Sequence, residues 1–172
     1  DPTWDEIPGM YFTNPYAVIG PYDPVPVPPG CGTWPSGTDG AVVQRGFDFE
    51  LEVGAVVGRR GADLSPDRAA RHIIGYTIFC DWSARDLQRN EARLGLGPAK
   101  SKDAASTLGP MLVTADELTD LESGPSLHLE MRAFVNGDRV GGGWLDEMDW
   151  SFGELAAYAS RAFPVHPGTQ DA

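Results

Sequence analysis

Two stretches of the chain carry side chains able to do chemistry together. The first is Gly75-Tyr76-Thr77-Ile78-Phe79-Cys80-Asp81-Trp82-Ser83-Ala84-Arg85-Asp86-Leu87-Gln88. Its first half is aromatic, apolar and β-branched, which predicts a strand. Its character changes at Asp81, a good helix N-cap, after which Trp82 to Gln88 can wind as a short helix. Arg85 then lies four residues after Asp81 and Gln88 three after Arg85, so a carboxylate, a guanidinium and an amide share one face. Taken alone, an Asp at such a junction serves more often as a cap than as a metal ligand.

The second stretch is Phe47-Asp48-Phe49-Glu50-Leu51-Glu52-Val53. Apolar residues at 47, 49, 51 and 53 alternate with carboxylates at 48, 50 and 52, so a strand places all three acids on one face. Neighbours on that face are about 6.6 Å apart at the Cα level. Three like charges in a row repel unless something cationic faces them. A solvent-washed acidic face is the plainer reading. Against it, the strand runs on into Ala55-Val56-Val57, which reads as buried on both faces. Carboxylates on a strand that enters the core need a partner, and a hard divalent cation with oxygen ligands is one. Lys100 and Lys102, after the loop of Gly95, Gly97 and Pro98, are further candidates for a counter-charge.

The elements that must position these groups follow from turn and capping signals. Residues 1–46 read as irregular, broken by Pro21, Pro24, Pro26, Pro28 and Pro29, with one short strand at Tyr16 to Ile19 and a glycine-rich loop from Gly30 to Gly46. Ser65-Pro66-Asp67 opens a short helix. His72, beside Ile73 and Ile74, reads as structural, and His128 as exposed. Thr114 and Glu117 form a capping box for a single turn, and Ser151 and Glu154 another. The latter opens an amphipathic helix of about three turns through Phe152, Leu155, Ala156, Ala159 and Phe163. Leu127, Leu129 and Met131 alternate with polar residues as a strand, and Asn136-Gly137 marks a type I′ hairpin. The chain closes at Val165 to Thr169 as though entering one more strand that is absent.

The 172 residues fit a single domain of residues 1–172, and 21 glycines with 15 prolines favour many short strands. A formal charge of −12 argues against nucleic acid and against an anionic membrane surface as partners. Cys31 and Cys80 lack metal-type spacing and form no disulfide framework. No apolar run approaches the ~20 residues of a membrane helix. With no signal peptide, a cytoplasmic location is expected.

The residues at 47–52, at 75–88 and from Lys102 to Leu118, including Leu108-Gly109-Pro110, resemble the fumarylacetoacetate hydrolase family. Its motifs are an acidic Glu-x-Glu strand, a Gly-Tyr…Asp-Trp-Ser-Ala-Arg-Asp-x-Gln segment, and a lysine loop before Leu-Gly-Pro. The resemblance implies a mostly β (α+β) fold, a mixed β-sandwich roll with a few short helices, as a homodimer. It implies Glu50, Glu52 and Asp81 as ligands of Mg²⁺ or Mn²⁺, with Ca²⁺ as a further candidate. Arg85, Gln88 and Ser106 would hold substrate, and Lys102 would be catalytic. Three carboxylates leave a hard cation about three open positions, enough for two adjacent oxygens of a 2-oxo or β-diketo acid. A Lewis acid and Lys102 would both stabilise developing enolate charge.

The leading expectation is hydrolysis of a C–C bond in an acylpyruvate-like substrate, as in aromatic catabolism. The alternatives are isomerase or decarboxylase chemistry, or a silent metal-binding relative. Family members that hydrolyse C–C bonds carry a His–Glu pair on an N-terminal lid, and nothing here matches it. The family's closing Pro-Gly-Asp-x-x-x-Thr-Gly-Thr-Pro segment survives only as Pro167-Gly168-Thr169, so the lid and the last strand are expected to be missing. Asn14 stands where the family commonly has Lys.

Overall fold

The computed structural model describes residues 3–32 and 46–171. Most of the expected glycine-rich loop, 33–45, lies outside the described residues. In chain order the elements are α1 (Thr3–Glu6), a 3₁₀ turn (Pro15–Ala17), β1 (Val18–Ile19), β2 (Phe47–Val57), α2 (Pro66–Ala70), β3 (Ile73–Ala84) and α3 (Arg85–Ala92). They continue with β4 (Ser106–Leu108), β5 (Val113–Thr114), a 3₁₀ helix (Ala115–Leu121), β6 (Glu122–Ser123), β7 (Ser126–Leu127), β8 (Glu130–Val135) and β9 (Asp138–Trp144). A 3₁₀ turn (Leu145–Glu147), α4 (Phe152–Ala159) and β10 (Gln170–Asp171) complete the chain. The expected α+β class, rich in strands with a few short helices, holds.

The chain divides into two compact units, one of Tyr11–Glu52 with Phe79–Pro110, the other of Asp1–Met10, Val53–Ile78 and Met111–Ala172. Strands β2 and β3 each contribute residues to both.

In the first unit β1 pairs in parallel with β4, and β4 antiparallel with β3. Val18 pairs with Ser106 and Ser106 with Asp81, so the three residues fall in one row. Along β3 buried positions recur every second residue, Phe79, Asp81 and Ser83, as a pleated strand requires. Trp82, on the opposite face, stacks on Phe47 of β2 at 5.3 Å and donates its indole N–H to Thr107 Oγ1 at 2.8 Å. An aromatic pair of this kind ties neighbouring strands together beyond its buried area.

The second unit holds the apolar core. Val57, Leu64, Ala69, Ala156, Ala157 and Val165 form one cluster, and Ala55, Ile73, Leu127, Leu145 and Phe152 another. Helix α4 begins at the expected capping box, with Ser151 N–H donating to Glu154 Oε2 at 2.8 Å and Glu154 N–H to Ser151 Oγ at 3.2 Å. Asn136 and Gly137 have φ of 52° and 93°, the type I′ hairpin that joins β8 to β9.

Several expectations are corrected. Asp81 caps no helix: the ladder with β4 carries β3 through it, and α3 starts at Arg85 after an uncapped Ala84. The strand at Tyr16 to Ile19 shrinks to two residues because Asn14 caps a 3₁₀ turn, accepting from Tyr16 N–H at 3.0 Å. The strand through Leu127 to Arg132 is interrupted where Leu129 N–H bonds to Leu127 O at 2.8 Å, a tight turn. Thr114 ends β5 and makes no side-chain cap for the seven-residue 3₁₀ helix after it. Helix α4 stops at Ala159, leaving Phe163 exposed. A closing strand is present: Gln170 and Asp171 pair antiparallel with Val56 and Ala55.

Candidate metal and substrate site

All the expected site residues lie in the first unit. The alternation of β2 brings Glu50 and Glu52 against Asp81 of β3, and their carboxylate oxygens all lie within 4.8 Å of one another. Asp81 is 1% exposed. Two cations face this acidic cluster. Lys102, 3% exposed, places Nζ 2.8 Å from Glu50 Oε2 and 2.9 Å from Asp81 Oδ2, and donates to Ser83 Oγ at 2.7 Å. Arg85, the first residue of α3, donates from Nε to Asp48 Oδ2 at 2.7 Å and from Nη1 to Glu50 Oε1 at 2.5 Å and Gln88 Oε1 at 3.0 Å.

Of the two lysines read as candidates for a counter-charge, Lys102 turns inward, while Lys100 is exposed and pairs with Asp103. The loop that carries Lys102 is held from α3. Glu91 accepts the backbone N–H groups of Ala99, Lys100 and Ser101 at 3.0, 2.7 and 3.2 Å, and the Ser101 hydroxyl at 2.6 Å. Burial pushes the Glu91 carboxyl upward, but these donors outweigh it and hold it below the usual range. Ser101 O in turn accepts from Ala84 N–H at 2.9 Å, which fixes the loop to the end of β3.

The site separates its carboxylates electrostatically. Burial opposes ionisation of Glu50, yet hydrogen bonds from Lys102 and Arg85 prevail and keep it below the ordinary carboxylate range. Glu52 goes the other way. Burial, then the charges of Asp81 and Glu50, push it up to about 8. Burial, then the charges of Asp81 and Glu52, push the Cys80 thiol up to about 11. Burial and a hydrogen bond to Asp81 raise the Tyr11 phenol.

The donor set fits a divalent cation. Asp81 Oδ1 is buried and has no hydrogen-bond partner among the described residues. A buried carboxylate oxygen left unpaired is costly unless something cationic meets it. Glu52, crowded by two acids, presents a second oxygen donor that such a charge would stabilise in its ionised form. Three clustered carboxylates with no imidazole or thiolate among them suit a hard, oxygen-seeking cation.

The structure thus gathers Glu50, Glu52, Asp81, Arg85, Gln88 and Lys102, and sets buried Ser106 beside Asp81 on the adjacent strand. Four further participants escaped the sequence reading. Asp48, in the sequence one acid of the strand, anchors Arg85. Ser83 follows Asp81 by two on the same strand face, a spacing that could have pointed to it. Glu91 sits one turn after Gln88 on α3, a weaker signal. Tyr11 donates its hydroxyl to Asp81 Oδ2 across seventy residues of sequence, and no local pattern announces that contact.

The family model described as fumarylacetoacetate (FAA) hydrolase C-terminal matches residues 1–169, and the chain belongs to this family. A mitochondrial oxaloacetate tautomerase of Xenopus laevis is 32% identical over 154 residues, which cover 88% of this chain and 42% of the relative. The chain therefore spans less than half the length of that relative. A 5-carboxymethyl-2-hydroxymuconate delta-isomerase from Mycobacterium smegmatis is similar in structure, with a TM-score of 0.70 and 28% identity over 90% of this chain and 52% of the other. A fumarylpyruvate hydrolase from Pseudomonas aeruginosa, solved with Mn²⁺ and pyruvate, matches with a TM-score of 0.59 and 27% identity over 71% of this chain and 51% of the other. No helix among the described residues is long and apolar enough to cross a membrane.

Proposed function

We propose that this chain carries the active site of a divalent-cation-dependent enzyme that interconverts the enol and keto forms of a small 2-oxo acid. The observation that carries the proposal is the buried Lys102, held within 2.9 Å of Glu50 and Asp81 beside a carboxylate oxygen without a partner. Glu50, Glu52 and Asp81 would hold Mg²⁺ or Mn²⁺, which supplies Lewis acidity toward two adjacent substrate oxygens.

The rest falls to the chain's own side chains. Lys102 Nζ is a fixed cationic donor aimed at the place where enolate charge develops, and such preorganised donors act strongly in a water-poor site. Arg85, braced on Asp48 and Glu50, keeps its guanidinium in one orientation toward a substrate carboxylate. Gln88 turns its carbonyl to Arg85, which leaves its amide N–H groups to donate to substrate. Ser106 lines the site next to Asp81.

Tautomerisation asks for charge stabilisation and for a proton moved between the enol oxygen and the adjacent carbon, with no bond formed to water. Cleavage of a C–C bond also needs a base that activates water. The side chains gathered at the carboxylates, Lys102 and Arg85, supply charge stabilisation. The relationship to oxaloacetate tautomerases supports the same choice. The likeness to a fumarylpyruvate hydrolase favours a second reading, cleavage of an acylpyruvate. Assaying one preparation for decay of the oxaloacetate enol band and for acylpyruvate cleavage separates them. The proposal expects metal-dependent acceleration of the first with little of the second; cleavage at the greater rate would overturn it in favour of a hydrolase. A homodimer, the family's assembly, belongs to the same proposal and is tested by light scattering.

A further inference from the structure

Two donors converge on a single oxygen of Asp81. Lys102 Nζ reaches Oδ2 at 2.9 Å, and the Tyr11 hydroxyl donates to the same Oδ2, while the buried Oδ1 of that carboxylate has no partner among the described residues. A carboxylate saturated on one oxygen and bare on the other has its plane and its free lone pairs fixed. The two donors are not equivalent. Lys102 is shared, ion-paired with both Glu50 and Asp81 and donating to Ser83. Tyr11 has one donor and gives it to Asp81 alone.

The backbone explains how Tyr11 arrives there. The segment is halted three residues on by Asn14, which caps the 3₁₀ turn through Tyr16 N–H, and it then enters β1, whose Val18 pairs with Ser106 in the row that contains Asp81. Tyr11 as a residue stays 38% exposed, and its hydroxyl is tied to the site by the bond to Asp81.

We propose that Tyr11 is a positioning residue for the cation site: by holding Asp81 Oδ2 it presents Oδ1 as the ligand atom. The inference rests on the cation reading above. Partners of this kind, one bond removed from a metal, typically change metal affinity about 10- to 100-fold when removed.

The test is Mn²⁺ binding followed by the loss of the free-ion electron paramagnetic resonance signal at pH 8, without substrate. Wild type, Tyr11→Phe, Asp81→Asn and the double variant are compared, with Tyr16→Phe as a control because Tyr16 is almost wholly exposed. Thermal melts check that each is folded. The expected result is that Tyr11→Phe binds Mn²⁺ about 10- to 100-fold more weakly, that Tyr16→Phe binds like wild type, and that Tyr11→Phe adds nothing in the Asp81→Asn background. Wild-type affinity in Tyr11→Phe, or effects that multiply in full in the double variant, would overturn the role of Tyr11 while leaving the cation site standing. No Mn²⁺ binding by wild type would overturn both.

Discussion

Lys102 Nζ lies 2.9 Å from Asp81 Oδ2, and neither side chain is more than 3% exposed. The pair sits between a loop and a strand, and each end is held by other contacts: Ser83 and Glu50 on the lysine, Tyr11 on the aspartate. Removing one member of such a buried pair leaves an uncompensated charge, a loss on the order of 3–5 kcal/mol. Lys102→Met is therefore expected to lower the stability of the metal-free protein by about that amount in urea unfolding at pH 8. Added Mn²⁺ should restore much of it. In the enol–keto assay its kcat should fall about 10²- to 10³-fold, the usual cost of losing one donor to developing oxyanion charge. A variant as stable and as active as wild type would show that Lys102 is neither counter-charge nor donor.

Glu52 sets a pH dependence. Its carboxyl is pushed from 4.5 up to about 8 by burial and by Asp81 and Glu50. Below pH 4.5 it is protonated in folded and unfolded chains alike. Between 4.5 and 8 the unfolded chain has released the proton that the folded chain retains, so this group makes stability fall as pH rises. Above 8 both forms are ionised and the effect levels off. In EDTA, Glu52→Gln should abolish this part of the slope and be the more stable protein at pH 8, as read by thermal melts across pH 5–9. Cation binding requires the same proton to leave, so wild-type affinity for Mg²⁺ should climb across this range and flatten above pH 8.

Glu91 organises the lysine loop without touching the carboxylates. Its two oxygens collect four donors from residues 99–101. Glu91→Gln replaces one acceptor by an N–H₂ group facing N–H donors, a loss of about 1–3 kcal/mol. The expected signature is faster proteolysis between residues 99 and 103 and a lower kcat at nearly constant KM, since Arg85 and Gln88 keep their places.

Gly75 tests the second unit. A Cβ there would stand 2.3 Å from Val113 O, a backbone atom of the strand paired with it. Gly75→Ala must push β5 away from β3 and should cost about 1–3 kcal/mol in urea unfolding, with cation affinity little changed. Wild-type stability would contradict the tight pairing of Gly75 with Thr114.

Much of the site was legible because its parts are local. The period-two pattern of residues 47–53 declared the acidic face, and the long motif from Gly75 to Gln88 placed Asp81, Arg85 and Gln88 in the right order. Turn chemistry worked where one dipeptide or one capping box decides the geometry, as at Asn136-Gly137 and Ser151. Other features depended on partners far along the chain. Asp81 reads locally as a helix cap, and only pairing with Ser106 keeps it in a strand. The inward turn of Lys102, rather than Lys100, follows from Glu91 holding the loop, and the Tyr11 contact spans a separation no window covers. Arg85, expected to hold substrate, is also paired with Asp48 and Glu50 because the guanidinium fork matches two carboxylates at once.

The central claim is that Glu50, Glu52 and Asp81 form one cation site that accepts a two-oxygen ligand beside Lys102. Isothermal titration with Mn²⁺, with and without oxalate as a mimic of a 2-oxo acid enolate, tests it most directly. The account predicts one Mn²⁺ per chain, oxalate binding only when Mn²⁺ is present, and both weakened but still measurable in Asp81→Asn. Absence of Mn²⁺ binding, or oxalate binding that ignores the cation, would contradict it and leave the acidic cluster as a partner for Lys102 and Arg85 alone.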